Sequence, residues 1–235
     1  MRSIRAMRNT PPGSVKIAAL SRRAAVLALL AGLCAQFAAP AAPAADPLRI
    51  VAFGDSLMAG LGLTAAEAFP AKLEAALRAG GHDVRIVNAG VSGDTASAGL
   101  ARLDWAVPAG TDAVILELGA NDALRGVDPR VTRDALETIV RRLRERRIEV
   151  LLAGMQAPRN LGAEYIRGFD RIYPEVAKTH GALLYPFFLD GVATEAKLNQ
   201  RDGIHPTAAG IDVIVARILP AVEELIARAQ TNRKR

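Results

Sequence analysis

The chain has 235 residues, is 51% hydrophobic, and carries 30 basic against 24 acidic residues for a net charge of +6. Six of the basic residues and none of the acidic ones fall in residues 1–44, so the rest of the chain holds 24 of each sign; the basic excess is not the footprint of a nucleic-acid surface, and no nucleic-acid partner is expected. The only cysteine, Cys34, lies in the same segment, which excludes a disulfide, a thiolate metal site and a cysteine nucleophile from everything after it.

Arg2, Arg5, Arg8, Lys16, Arg22 and Arg23 precede an apolar run over Ala24–Ala39, and an Ala/Pro-rich stretch continues to Asp46. This is the three-region pattern of a secretory signal, with Ala42-Pro43-Ala44 placing cleavage near Ala44. The expected organisation is a signal peptide over 1–44, one domain over 45–229 and a solvated basic tail over 230–235, in a periplasmic or secreted protein. The apolar run falls short of the roughly 20 residues a transmembrane helix needs, so no membrane span is expected once the leader is removed. Ser21-Arg22-Arg23 raises twin-arginine export, but Ala25 and Val26 fit poorly with what usually follows. Cys34 raises lipoprotein processing, but Leu33 stands where a small residue should. The remaining 190 or so residues suffice to bury roughly 70% of the unfolded surface in one domain stabilised by packing alone.

After residue 46, short apolar runs alternate with helical patterns. Strands are expected at Leu48–Phe53, Val84–Asn88, Ala113–Leu118, Val150–Gly154 and Ala182–Tyr185. Helices are expected at about Phe69–Ala79, Ala96–Ala106, Pro129–Arg147, Ala163–His180 and Ala208–Ala229. The clearest is the third: Val131, Leu136, Ile139, Val140 and Leu143 form one stripe, and Asp128-Pro129 supplies a cap and a first-turn proline. Strand then helix, five times over, implies an α/β fold: a three-layer α/β/α sandwich around a five-stranded parallel sheet.

Ser56 follows the first strand in Gly54-Asp55-Ser56-Leu57. Strand carboxyl ends are where reactive groups collect in such sheets, but a serine is a weak nucleophile without a base. Taken alone, Ser56 could be a helix cap. His205, in Asp202-Gly203-Ile204-His205-Pro206, can be the base, with Asp202 three residues earlier to orient it. His82 and His180 have no acid so placed. Two stretches offer oxyanion donors: Gly93 a backbone N–H with no side chain in the way, and Asn121 a side-chain amide. Either could be a mere turn or cap residue. Asp55, Asp94 and Asp122 read as structural. Three scattered histidines give no metal constellation, and no Gly-Lys-Ser/Thr follows to make a phosphate loop.

Those four ordered motifs, spread over residues 48 to about 225, resemble the SGNH (GDSL) hydrolase family. Met155-Gln156, Tyr173-Pro174 and Pro186-Phe187-Phe188 look like its bacterial thioesterase I, lysophospholipase L1 and arylesterase branch. The family's flavodoxin-like strand order 2-1-3-4-5 is one of the few that right-handed crossovers leave, and it brings Ser56, Gly93 and Asn121 to adjacent strand ends. The resemblance implies a Ser56–His205–Asp202 triad, an oxyanion hole from Ser56, Gly93 and Asn121, and no cofactor. An apolar acyl groove is expected along Leu57–Leu63, Ala123–Asp128 and Met155–Leu161, with Met58, Leu61, Leu124, Met155 and Leu161 as its substrate-binding residues. The expected function is hydrolysis of aryl and short-to-medium acyl esters, with thioesterase and lysophospholipase activity beside it. The partner is a small-molecule acyl ester or thioester, and the chain is expected to be a monomer or weak dimer. Carbohydrate O-deacetylation on the same triad is the alternative, and a non-catalytic acyl-binding envelope protein a further one.

Overall fold

The structure, a computed structural model, describes residues 46–234. The expected leader, with Cys34 and the expected cleavage point near Ala44, lies outside the described residues.

Five strands, β1 (Leu48–Gly54), β2 (Val84–Gly90), β3 (Ala113–Glu117), β4 (Glu149–Ala153) and β5 (Leu183–Tyr185), form one parallel sheet in the order β2-β1-β3-β4-β5. This is the expected order. Every residue of β3 and β4 is buried, whereas the edge strand β2 buries only Val84 fully. A strand covered on both faces needs a continuous apolar run, and an edge strand does not. In the register, Gly54 at the end of β1 stands beside Gly90 on one side and Glu117 on the other.

Phe69–Ala79 and Ala208–Arg233 pack together on one face of the sheet; Ala96–Ala101, Pro129–Glu145 and Ile172–His180 cover the other. Two expected helices are each broken in two. The first divides into Ala96–Ala101 and Leu103–Ala106, with Arg102 between them at φ −104°, ψ 5°. The second divides into Ala163–Asp170 and Ile172–His180. Its cause is Pro174: a proline has no N–H to give and is tolerated only in a first turn, so the helix restarts just ahead of it.

The last helix runs to Arg233, beyond the expected end at Ala229. The Arg233 guanidinium pairs with Asp112 and donates to the carbonyls of Asp46 and Pro47. The C-terminal basic residues are therefore not all left to solvent: Arg233 ties the end of the domain to its beginning. Among the described residues, no helix is long and apolar enough to cross a membrane.

Candidate active site

β1 delivers Ser56 at the first position of a short helix, Ser56–Ala59, that the strand pattern did not reveal. Its cap is Asp55, whose Oδ1 accepts the N–H of Leu57 at 3.0 Å. Ser56 Oγ lies 2.9 Å from His205 Nε2, and His205 Nδ1 lies 2.7 Å from Asp202 Oδ2. The other carboxylate oxygen, Asp202 Oδ1, accepts the N–H groups of Ile204 and His205. The loop is held from behind, where Gln200 N–H donates to the His205 carbonyl at 2.7 Å and Gln200 Nε2 reaches the carbonyls of Leu61 and Pro206. The hydrogen bond from His205, helped by the two N–H groups, holds the Asp202 carboxyl down to about 2. It is therefore an anion at neutral pH. His82 and His180 face Glu223 and Glu137 instead.

Asn121 follows β3 on a second short helix, Ala120–Leu124, capped by Gly119 at φ +114°. That conformation favours glycine, and a β-carbon there would also collide with Tyr173 Oη. Tyr173, fully buried, donates to the Leu118 carbonyl at 2.9 Å and fixes the strand end. Asn121 Nδ2 donates one hydrogen to Asp55 Oδ2 at 3.0 Å, which leaves its second for a ligand. Asp122 secures the same turn from below, accepting Ala96 N–H and Thr132 Oγ1–H. Gly93, at φ +87°, follows β2, and its carbonyl accepts from Arg125. Among the described residues neither the Ser56 nor the Gly93 N–H has a protein acceptor.

Two buried groups beneath this arrangement had no motif to reveal them. Arg102 donates to the carbonyls of Gly54 and Ala89 and to Asp94, with its guanidinium 4.4 Å from the centre of the Phe53 ring. It thereby joins the end of β1 to the end of β2 and the Gly93 loop. Glu117, wholly buried, ends β3 beside Gly54. Burial, and then the charge of Asp55, push its carboxyl well above the usual carboxylate range; burial also raises Asp55. The signal for Glu117 was a lone acid inside an apolar strand.

A cavity of about 510 Å³ opens at Ser56, Asn121 and His205. Its walls are mostly apolar: Leu124, Met155, Ala157, Pro158, Phe187 and Leu189. Of the five residues expected in an acyl groove, Leu124 and Met155 line it, and Met58, Leu61 and Leu161 do not. Met58 is wholly buried under Gly54, because the helix that begins at Ser56 turns it into the core. Leu61 is half-exposed outside the cavity, with its carbonyl taken by Gln200. Leu161 sits in the turn closed onto the Pro158 carbonyl. The missed walls, Phe187 and Leu189, follow β5, and Ile204 lies in the histidine loop itself.

A hydroxyl on an imidazole on a carboxylate, with unpaired N–H groups alongside, can perform acyl transfer. The GDSL-like Lipase/Acylhydrolase family model matches residues 52–213. Esterase TesA of Pseudomonas aeruginosa is 39% identical over 199 residues, 84% of this chain and 98% of that protein. Thioesterase 1/protease 1/lysophospholipase L1 of Escherichia coli is 40% identical over 166 residues, 70% of this chain and 77% of that protein. Among solved structures, AlinE4, an SGNH-hydrolase family esterase, is 49% identical with a TM-score of 0.66, covering 77% of this chain and 97% of that one.

Proposed function

Because the chain belongs to the GDSL-like Lipase/Acylhydrolase family and is an SGNH-type esterase, we propose that it hydrolyses its substrates through an acyl-enzyme on Ser56. The observation that carries this reading is the Ser56–His205–Asp202 chain of hydrogen bonds at the mouth of an apolar cavity. Ser56 Oγ bonds to the acyl carbon while its proton passes to His205 Nε2. The imidazolium is stabilised by the Asp202 carboxylate, which also holds Nδ1–H in the productive tautomer. The oxyanion is met by the N–H groups of Ser56 and Gly93 and by the second hydrogen of Asn121 Nδ2. As the carbonyl re-forms, the alcohol or thiol leaves with the proton from Nε2. A water then gives a proton to Nε2 and its oxygen to the acyl carbon, and Ser56 Oγ departs reprotonated. No step asks for a cofactor.

The cavity favours an acyl chain over a sugar. Its volume lies within the range of small-molecule sites, and each buried methylene contributes about 0.8 kcal/mol. Aryl and medium-chain acyl esters are therefore the leading substrates, with thioesters and lysophospholipids beside them, in keeping with the name of the E. coli relative. The leader pattern supports action in the periplasm or outside the cell after cleavage near Ala44. The test is a chain-length series of p-nitrophenyl esters and matching thioesters, run beside acetyl-xylan. Rising kcat/KM from acetyl to medium chains supports the reading. Preference for acetyl-xylan would make the enzyme a deacetylase, and inertness to every ester would leave only acyl binding.

A further inference from the structure

Glu117 has no place in the reaction above, yet it is a fully buried acid directly beneath it. It does not point away. A β-carbon on Gly54 would collide with its carbonyl oxygen and with Oε2, so the glycine makes room for this side chain to turn back along the sheet. There Oε2 lies 3.5 Å from the N–H of Asp55, and the two carboxyl groups meet. No cation is directed at Glu117 among the described residues. Arg102 is occupied by Gly54, Ala89 and Asp94, and Tyr173 and Asp122 are committed to Leu118, Ala96 and Thr132. His205 is not hydrogen-bonded to either acid and reaches Asp55 only through space.

Two touching carboxyls in a dry, cation-free site cannot both ionise. Their unequal partners decide which one keeps the proton. Asp55 accepts from Leu57 N–H and from Asn121 Nδ2, which favours an anion. Glu117 Oε1 is buried with no partner at all, which disfavours one. Burial raises both groups, and Glu117 the further, as this division requires.

We infer that Glu117 is a positioning residue for the oxyanion hole: it keeps its proton, donates it in a hydrogen bond to the Asp55 carboxylate, and so holds the group that orients the Asn121 amide. The chain is Glu117 to Asp55 to Asn121 Nδ2, with the second Nδ2 hydrogen left facing the reacting carbonyl. This rests on the proposed role of Asn121. A buried acid with an unpaired oxygen lowers stability, so a methionine of similar volume would suit the core at least as well. Stability and catalysis should therefore respond in opposite directions.

The experiment compares Glu117→Met, Glu117→Gln, Asn121→Ala and the Glu117→Met/Asn121→Ala double variant on one aryl ester, with Tm for each. Glu117→Met should keep or raise Tm and lower kcat on the order of tenfold to a hundredfold, with little change in KM. Glu117→Gln, whose amide can make the same donation, should restore most of the rate. The double variant should be no slower than Asn121→Ala alone. Wild-type kcat in Glu117→Met, a Gln variant as slow as the Met one, or effects that multiply would each overturn the inference. Asn121→Ala with full activity would overturn the oxyanion reading and this one with it, whereas a slow Asn121→Ala beside a fast Glu117→Met would overturn this one alone. Should Glu117→Met fail to fold, infrared difference spectra of the wild type against Glu117→Gln at slightly alkaline pH decide the matter. A protonated carboxylic-acid carbonyl band belonging to Glu117 is expected, and its absence overturns the inference.

Discussion

The site has two acidic regions built on opposite principles. Asp202 lies on a surface loop, within three residues of the group it serves, and is surrounded by donors. Asp55 and Glu117 lie in the core on different strands' ends, brought together by the register of β1 against β3. The same functional group is driven towards the anion in the first region and, at Glu117, towards the neutral acid in the second. Solvent and donor count decide the direction, not residue type. A charge that stabilises an imidazolium can sit in the wet loop. A scaffold that fixes an amide must sit where nothing moves.

The largest effect should come from the hydroxyl that both regions serve. Ser56→Ala is expected to lower kcat by about 10⁶-fold with the fold intact, read from purified protein by circular dichroism and aryl-ester turnover. Asp202→Asn should cost about 10³–10⁴-fold, through the wrong imidazole tautomer. It should hurt less than loss of Ser56, because water can reach the half-exposed loop, and the two effects should not add. With Asp202 held down to about 2, the wild-type kcat/KM should rise through a single ionisation between about pH 5 and about pH 9. Two acid-side ionisations there would show that the loop carboxylate is not the anion described.

The buried region should give smaller effects. Asn121→Ala should lower kcat by about 10²–10³-fold and change KM less, because its donor meets charge that develops in the transition state. A raised KM at constant kcat would make it a ground-state contact. For stability the two regions should differ in sign. The depressed Asp202 stabilises above the ordinary carboxyl range, near 3.9, and that contribution is lost only as pH falls towards about 2. The raised Glu117 keeps its proton in the folded state, so its presence costs stability as pH climbs above about 4.3. The Tm of Glu117→Gln should therefore pull progressively ahead of wild type as pH climbs above about 4.3. A constant gap would mean that Glu117 does not bind an extra proton on folding.

How far the sequence could be read follows the same division. The five strands lie within two residues of their expected ends, because burial on both faces writes a continuous apolar run. Asp202 and His205 were legible together because their contact is local, three residues apart on one loop. Asp55 was legible as a turn residue, but its bond to Asn121 spans the sheet and leaves no spacing to read. Arg102 looked like part of one helix, although it breaks that helix to reach three acceptors on other elements. The cavity walls were half legible: Leu124 and Met155 lie just past the ends of β3 and β4, whereas Met58 was assigned to the groove without the one-turn helix that buries it. Contacts set by register and by short helices are invisible to periodicity, and they are what shape the floor of this site.

The central claim, that Ser56 is the nucleophile activated by His205 and Asp202, is tested most directly by covalent labelling. The purified protein is treated with a fluorophosphonate probe, and the adduct is located by peptide mass spectrometry in the wild type and in Ser56→Ala. The account predicts a single adduct on Ser56 and none in the variant. An unlabelled wild type, or an adduct that persists on another residue when Ser56 is gone, would contradict it.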